Sequence, residues 1–435
     1  MALIDFQIAG RNLAQHRKRT LLLGGATALV TMMMVQLMAL TDGIQETILH
    51  AGSTLMTGHV NVGGFYKVTA GSAAPLVLDA DKVLAAVRPD VPELDLAIGR
   101  GRGYATAVAP TGSMDLVLGG LDFEKDRRFS DVVAVAEGSL AELSKPNTIL
   151  VFQTEAKRLG VKVGDTLTLS APTFKGMANT ADVRVAAIAK DMGAMSFFNA
   201  YISFPTLATL YQLRPGSTGA LHLYLKDPYD APAVAERLRK SLAAKGYRVM
   251  EADGMPYYVK LYTKVGKEDW TGQKLDITTW ADEMSFMNQA LLMIKGLNFM
   301  MLVVLILIVG AGVMSTMWIA IRERTREIGT LRAIGMHRRR VMGMFLVEAL
   351  LLGLLGTSVG AAVGAGTSLA INALGIPTPE AIQAILMADK VVFAPHLSSA
   401  LASIAGITLW TTLVALIPAF FAARLEPVTA MHHIG

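Results

Sequence analysis

The sequence lacks cysteine and has little charge. None of its 435 residues is Cys, which excludes disulfides, thiolate metal sites and lipidation of an amino-terminal cysteine. Asp, Glu, Lys and Arg together make up only 17% of the chain, whereas 52% of the residues are hydrophobic. Few soluble domains combine so much apolar side chain with so little charge. The composition therefore indicates a membrane protein.

Motifs for catalysis and cofactor binding are scarce as well. No G-x-x-x-x-G-K-[ST] loop occurs, so the sequence offers no site to cradle the phosphates of a nucleotide. The 8 histidines are scattered without HExxH or comparable spacing, which predicts no metal site. The basic residues cluster at the edges of apolar stretches, which argues against nucleic-acid binding. We expect no catalytic residue and no cofactor in this chain.

Long charge-free stretches set the predicted architecture. Each is long enough for a helix of ~20 residues that crosses the membrane. We expect an α-helical membrane domain of four transmembrane helices, with a large extracytoplasmic α+β domain inserted between helices 1 and 2. The predicted order is an amphipathic cytoplasmic segment 1–19, helix 1 at 20–41, the α+β domain 42–287, helix 2 at 288–321, a cytoplasmic loop 322–341, helix 3 at 342–374, a short outer loop 375–398, helix 4 at 399–423 and a cytoplasmic tail 424–435.

The region between the first two spans has the pattern of a soluble domain. Alternating, β-branched runs such as Thr148 to Phe152 and Leu221 to Leu225 predict strands. A helix is predicted after Asp230, because Val234, Leu238 and Leu242 recur every four residues. These signals support an α+β region with a core of its own.

The loop 322–341 is rich in arginine. Cytoplasmic loops of membrane proteins collect Lys and Arg, so we place this loop in the cytoplasm. Ile328, Leu331 and Ile334 recur at spacings of three, which favours one apolar face of a short helix, and Gly335 would allow it to stop. Such a helix could dock into a groove of a partner, but an ordinary positive-inside loop fits the pattern equally well.

The amino-acid sequence of this loop resembles a known segment. The runs ERTREIG (323–329) and LRAIG (331–335) are similar to the cytoplasmic coupling segment of FtsX-like permeases, a superfamily that includes Lol lipoprotein-releasing permeases, MacB-type exporters and FtsX. The ending PAFFAARLEP (418–427) resembles the terminal signature of the same superfamily, and LGVKVGD (159–165) resembles the outer domain of Lol-type permeases. The resemblance implies ATPase-coupling roles for Arg324, Arg326, Glu327, Ile328, Leu331, Arg332, Ile334 and Gly335.

The resemblance also implies partners and a location. It implies a multi-pass protein of the bacterial inner membrane with a periplasmic domain, which works with two copies of a separate ABC ATPase and a second permease subunit, identical or homologous. ATP and magnesium would be bound by that ATPase. The favoured function is a Lol-like extraction of lipoprotein or lipid-like cargo toward a periplasmic carrier or outer partner. A MacB-like exporter and an FtsX-like regulator of a cell-wall hydrolase remain as alternatives.

Two features of the predicted helices concern packing. Gly356, Gly360 and Gly364 lie on one face of helix 3, and small residues there let helices approach closely in lipid. Glu348 lies within the same helix near its cytoplasmic end. A carboxylate in the membrane is costly and usually paired, so we expect an arginine of the adjoining loop, or Arg424, to be its partner.

Two further groups of residues are possible contact sites. Met32, Met33, Met34 and Met38 carry adaptable thioethers that could contact acyl chains, although ordinary packing in the membrane explains them as well. The stretch 171–182 is predicted to be an exposed hairpin tip between two strands. Its residues Pro172, Phe174 and Met177 form a possible partner loop, because exposed apolar residues on a loop can mark a binding site.

Overall fold

The computed structural model describes residues 17–69, 72–173, 176–378 and 390–425, together with Arg11 and Gln15. Phe174, the tail from residue 426 onward and most of the predicted amphipathic segment lie outside the described residues. The chain divides into two compact units, which comprise the described residues of Met1–Glu46, Leu291–Ile376 and Lys390–Gly435 in the first, and of Thr47–Ala290 and Pro377–Asp389 in the second.

The elements follow one another in this order. The α-helices are α1 (Arg17–Gly52), α2 (Ala80–Val87), α3 (Arg127–Val132), α4 (Gln153–Leu159), α5 (Phe204–Tyr211), α6 (Ala231–Ala244), α7 (Tyr257–Lys260), α8 (Trp280–Glu283), α9 (Ser285–Glu323), α10 (Thr325–Ala333), α11 (Arg338–Leu374) and α12 (Leu397–Arg424). The strands are β1 (Val60–Thr69), β2 (Ser72–Ala74), β3 (Leu94–Ala109), β4 (Gly112–Leu121), β5 (Val135–Gly138), β6 (Thr148–Phe152), β7 (Thr166–Pro172), β8 (Ala178–Ala189), β9 (Asn199–Ser203), β10 (Ala220–Leu225) and β11 (Gly272–Thr279). Short 3₁₀ or π turns occupy Ser53–Thr57, Arg88–Asp90, Leu140–Ser144, Gly193–Phe197, Pro228–Asp230 and Leu261–Val265.

Helices α1, α9, α11 and α12 are long and apolar enough to cross a membrane. The predicted fold class of four spans with an inserted α+β domain is confirmed. The helices run beyond the predicted spans, since α1 continues past Thr41 to Gly52 and α9 already begins at Ser285. Hydropathy detects the apolar part of a helix, whereas the backbone hydrogen bonds continue wherever φ and ψ stay helical, so the polar ends were missed.

The first unit is held together by side chains between these helices. Its core combines apolar residues of all four long helices, including Leu23, Val313, Phe345 and Ala415. Trp410 on α12 donates its indole N–H to the carbonyl of Ile306 on α9 at 2.9 Å. This hydrogen bond satisfies the indole N–H between two helices, as a lipid environment requires.

The second unit is built on one mixed sheet. Its strands follow the order β11-β1-β10-β3-β4-β9-β6-β8-β5, with β2 paired to β1 and β7 paired to both β3 and β8. The pairs β4–β9 and β6–β8 are parallel, and the remaining pairs are antiparallel. The strand and helix signals of the sequence thus correspond to a real α+β core.

Alternation along β1 gives this sheet an apolar and a polar face. Val60 and Val62 pack with α6 in the core, whereas Asn61 lies on the opposite face. On that face the buried Arg100 donates to Asp126 at 2.7 Å and to the carbonyls of Thr54 and Leu55 at 2.5 and 3.0 Å. A guanidinium there satisfies carbonyls in the π turn that follows α1, which would otherwise lack partners.

Candidate coupling segment and apolar groove

The predicted coupling segment contains a short helix. Arg324, with φ of −103° and ψ of 14°, interrupts the helical conformation between α9 and α10. Helix α10 spans Thr325–Ala333, and Gly335 follows with φ of +101°, a conformation that side chains other than glycine rarely adopt. The chain can therefore turn sharply there before α11 begins at Arg338.

Arg324 is buried and paired with Glu348. Its Nη1 lies 3.2 Å from Oε2 of Glu348, and both side chains are more than nine-tenths buried. The predicted arginine partner of the intramembrane carboxylate is thus confirmed. An arginine that neutralises a buried carboxylate cannot also extend to the surface, so Arg324 is not part of the exposed surface of the segment.

The three apolar residues of the segment do not form one exposed face. Ile328 is 1% exposed and belongs to the core of the first unit, whereas Ile334 is 85% exposed and Leu331 is half-buried. A spacing of three falls short of a helical turn, so each step rotates the position by about 60°. Ile334 also lies at the end of α10. The prediction of a shared docking face is wrong for Ile328.

The remaining residues of the segment are distributed around α10. Arg326, Glu327 and Gly335 are exposed, and the half-buried Arg332 donates to the carbonyl of Met336 at 3.2 Å. We use the term coupling surface for Arg326, Glu327, Leu331, Ile334 and Gly335. This surface combines an exposed isoleucine with charged neighbours, which suits a contact with another protein.

An apolar groove of about 260 Å³ lies between α1 and α9. Asn298 donates to the carbonyl of Leu37 at 3.3 Å and contacts the hydroxyl of Thr41, so its amide is satisfied inside the unit. The groove is lined by Met34, Leu37, Met38, Thr41, Asp42, Lys295, Asn298, Phe299, Leu302 and Leu305. Its apolar wall and its two charged residues match the two halves of an amphiphile.

The four methionines of α1 separate into two groups. Met34 and Met38 line the groove. Met33 is 38% exposed outside it, and the backbone of Met32 contacts α11 at Gly364. Acyl-chain contact thus stays a prediction for Met34 and Met38, which line the groove. For Met32 the geometry favours helix packing.

The glycines of α11 lie against α1. A Cβ at Gly356 would overlap Thr27, and one at Gly360 would overlap the backbone of Ala28. At Gly364 the nearest atom would be the carbonyl oxygen of Met32 at 3.0 Å. The predicted close approach to another helix is confirmed, and that helix belongs to the same chain.

The predicted partner loop forms a hairpin. Strands β7 and β8 pair antiparallel up to Pro172 and Ala178, and the amide of Thr173 donates to the carbonyl of Met177 at 2.7 Å. Met177 is 64% exposed and Pro172 is exposed as well. The hairpin tip is confirmed, whereas a binding role stays a prediction.

His59 follows α1 in the second unit, where its side chain contacts β10. It is buried, and its Nδ1 accepts a hydrogen bond from the backbone N–H of Leu225 at 2.9 Å. Burial, assisted by the positive charge of Arg128, lowers the pKa of His59 to about 4. The imidazole is therefore neutral at pH 7, where its hydrogen bond helps to hold the start of β1 against β10.

Two family models match the sequence. Residues 20–241 match the MacB-like periplasmic core domain, and residues 299–427 match the FtsX-like permease C-terminal domain. The first match alone covers half of the chain, and the second contains the coupling segment. The chain belongs to the FtsX/MacB-type ABC transporter permease superfamily. It is a multi-pass protein of the inner membrane with a periplasmic domain inserted between its first two membrane helices.

Curated relatives resemble only part of this permease. It is 34% identical over 126 residues to the macrolide export ATP-binding/permease protein MacB of Azoarcus sp. strain BH72, which covers 29% of this chain and 17% of the relative. It is 36% identical over 126 residues to the pyoverdine export ATP-binding/permease protein PvdT of Pseudomonas syringae pv. tomato, with the same coverage. It is 32% identical over 129 residues, and 29% of each chain, to the ABC transporter permease YknZ of Bacillus subtilis. In each case the match spans less than a third of the relative's length.

Two solved structures of extracytoplasmic domains align with part of the chain. The periplasmic region of MacB from Actinobacillus actinomycetemcomitans aligns over 56% of this chain and 97% of that chain, at 10% identity and a TM-score of 0.31. The extracellular domain of YknZ aligns over 43% of this chain and 94% of that chain, at 13% identity and a TM-score of 0.30.

Sequence inspection missed much of the groove in the permease. Leu37, Phe299, Leu302 and Leu305 are ordinary residues of apolar spans, and their spacing gives no hint that they line a shared groove. Asn298 is a lining residue of α9 that the sequence could have singled out, since an amide in an apolar span requires a partner. Across the described residues, no cluster of three or more His, Asp or Glu side chains could hold a metal ion.

Proposed function

We propose that this permease couples ATP hydrolysis by a separate ABC ATPase to the extraction or release of lipoprotein or other lipid-like cargo. The observation that carries the proposal is the groove between α1 and α9. It lies within the helical unit, so an acyl chain bound there would be shielded by α1 on one side and α9 on the other.

The chemistry of the groove supports an amphiphile. Met34 and Met38 are unbranched and can adapt to a flexible chain, while Phe299 and Leu302 provide a large apolar wall. Asp42 and Lys295 also line the groove, and Lys295 donates to Gln45 at 2.6 Å. A lipid with an apolar body and a polar headgroup satisfies both kinds of side chain.

The coupling surface supports a separate ATPase. The 435 residues contain no nucleotide-binding loop, and Ile334 is exposed beside the charged residues Arg326 and Glu327. We propose that two copies of an ABC ATPase, which bind ATP and magnesium, dock here and that the permease itself has no catalytic site. A second permease subunit would complete the complex, and a periplasmic carrier or other outer partner would contact the hairpin at Pro172 and Met177.

A second candidate is mechanical export of a periplasmic substrate, as in MacB-like proteins. The match of residues 20–241 to the MacB-like periplasmic core domain favours it. In that mechanism the groove would hold structural lipid and would not select cargo. Regulation of a cell-wall hydrolase has no specific feature of the described structure in its favour.

The two candidates differ in what the groove binds. The full chain in lipid nanodiscs should be irradiated with a diacylated lipopeptide that carries a diazirine in one acyl chain, and the adducts mapped by mass spectrometry. We expect labelling of Met34 and Met38, and strong competition by unlabelled lipopeptide but weak competition by plain phospholipid.

A matched pair of variants makes this test specific. Leu302→Trp fills the groove and should reduce labelling of Met34 and Met38 by about tenfold, the effect of losing ~1.4 kcal/mol of binding. Leu307→Trp lies on the same helix at an exposed position outside the groove and should leave the labelling unchanged. Equal competition by phospholipid, or equal labelling in both variants, would refute lipoprotein selection by the groove.

A further inference from the structure

The periplasmic domain contains a second cavity, separate from the apolar groove. This cleft has a volume of about 750 Å³, which is within the range of about 300–1,000 Å³ that is usual for small-molecule sites. One wall comes from β3, β4 and β7, and another comes from β2 and the turn at Leu261–Val265. Every residue that lines it belongs to the second unit.

Tyrosine rings form part of the walls of this cleft, and one of them is rigidly held. The hydroxyl of Tyr211 accepts a hydrogen bond from the backbone N–H of Tyr104 at 2.6 Å. It also donates a hydrogen bond to the carbonyl of Tyr104 at 2.5 Å. Its ring crosses β3 at Gly103, where a Cβ would overlap it. Tyr262 on the opposite turn is 68% exposed. A fixed ring and an exposed ring thus face a cleft wide enough for a ligand.

Groups that donate and accept hydrogen bonds lie beside these rings. Thr106 donates to Asp115 at 2.7 Å across β3 and β4, and Ser170 is paired with Thr106 on β7. Lys267 comes from a different wall. Within the described part of the chain, neither Asp115 nor Lys267 has an oppositely charged group within 4.0 Å.

Among the described lining residues, the remaining charge is that of Arg102, and it already has partners. Arg102 donates to Asn61 at 2.8 Å, lies 3.8 Å from Glu283 and stacks 4.2 Å from the centre of the Tyr257 ring. Among the described lining residues, the cleft therefore offers one carboxylate and one ammonium from separate walls, together with the hydroxyl groups of Thr106 and Ser170. A ligand with a single ionic charge would meet a like charge on one of these walls.

We infer that this cleft is a binding site for an uncharged, ring-shaped and polyhydroxylated ligand, that is, a glycan segment or a glycoside. A hydroxyl group donates and accepts, so it can pair with the carboxylate of Asp115, the ammonium of Lys267 and the hydroxyls of Thr106 and Ser170. The faces of a sugar ring are apolar enough to stack on Tyr211 and Tyr262. The inference does not depend on the cargo proposed for the groove, because the cleft lies in the other unit.

Saturation-transfer difference NMR on the full chain in lipid nanodiscs can test this site. The probes are maltose and N,N′-diacetylchitobiose as neutral disaccharides, benzyltrimethylammonium as a cation, benzenesulfonate as an anion and glycyl-tyrosine as a zwitterionic peptide. We expect saturable binding of at least one disaccharide and weaker binding of the charged probes. The two disaccharides distinguish a plain hexose glycan from an N-acetylated one.

Matched variants connect the signal to the cleft. Tyr262→Ala and Asp115→Asn should each weaken disaccharide binding by roughly tenfold, as expected when a stacking surface or a charged hydrogen-bond acceptor is lost. Tyr229→Ala removes another exposed tyrosine, and Asp182→Asn removes the acceptor of an equivalent 2.7 Å bond from Thr168, both outside the cleft. These two controls should bind as the wild type does.

Three results would overturn the inference. The first is the absence of a saturable signal from either disaccharide with the wild-type chain. The second is a loss of binding in the controls equal to that in Tyr262→Ala and Asp115→Asn. The third is tighter binding of a charged or peptide probe than of both disaccharides. The altered side chains are exposed, so all four variants should fold.

Discussion

At the scale of single residues, the pair Arg324–Glu348 shows how the helical unit tolerates a buried charge. Each side chain alone would carry an uncompensated charge in an apolar core, at a cost of several kcal/mol. Together they connect the junction between α9 and α10 to α11 across 3.2 Å. The pair thus holds the base of the coupling segment, whereas the more distal Arg326 stays exposed.

Gly360 is a second residue that the fold cannot easily replace. Leucine at this position would overlap the backbone of Ala28, which cannot move as a flexible side chain would. We expect Gly360→Leu to destabilise the permease by about 1–3 kcal/mol, the usual cost of overpacking. Thermal unfolding of the purified protein should show a lower midpoint for this variant.

Gly366 on the same helix provides the control. A Cβ there has no atom within 4 Å, so Gly366→Leu should leave the midpoint unchanged. A Gly360→Leu protein as stable as Gly366→Leu would mean that α1 and α11 do not approach as closely as described.

At the scale of elements, α10 has an inner and an outer side. Ile328 anchors its inner side in the core of the unit, and Ile334 projects from its end. An element anchored in this way moves together with the helices it contacts. A partner that binds its outer side could therefore transmit force to α9 and α11.

The outer side can be tested with substitutions that leave the core intact. Ile334→Asp should detach or uncouple the ATPase, because an apolar anchor in the centre of an interface contributes more binding energy than a charge at its rim. Arg326→Ala should have a smaller effect, since an exposed charge is screened by salt. Co-purification of the ATPase and its stimulated hydrolysis rate measure both effects.

The order of the two effects decides this prediction. If Arg326→Ala abolishes coupling while Ile334→Asp has no effect, the apolar end of α10 is not the docking anchor. Ile328→Asp is unsuitable for this test, because it would place an unpaired carboxylate in the chain's own core.

At the scale of the whole molecule, the distribution of basic residues predicts the topology. Arg322 to Arg340 should face the cytoplasm, and the periplasmic domain should lie on the other side of the membrane. The absence of cysteine makes the chain suitable for labelling at single introduced cysteines.

Lys162→Cys and Arg326→Cys form a matched pair, because both positions are exposed. A maleimide that cannot cross the inner membrane should label Lys162→Cys in spheroplasts and label Arg326→Cys only after the membrane is disrupted. The reverse pattern would invert the predicted topology. The unmodified chain, which has no thiol, should remain unlabelled in both samples.

The sequence alone was sufficient for features that depend on local pattern. Charge-free stretches predict the four spans because hydrocarbon excludes unpaired charge. The runs at Thr148 to Phe152 and Leu221 to Leu225 predict strands because alternation and β-branching persist over neighbouring residues. An arginine partner for Glu348 could be expected, since a carboxylate in the membrane needs a counter-charge, but the sequence left open whether it comes from the loop 322–341 or is Arg424. The resemblance to the permease superfamily was visible in the sequence of residues 323–335.

Only the tertiary structure decided which side of each element meets another part of the chain. The spacing of Ile328, Leu331 and Ile334 cannot show that the first is buried and the last exposed, because that depends on where α9 and α11 lie around α10. The groove at Met34 and the cleft at Tyr262 each combine residues that are far apart in sequence. Contacts of this kind depend on how helices pack and how strands are ordered, and no local pattern of residues encodes that geometry.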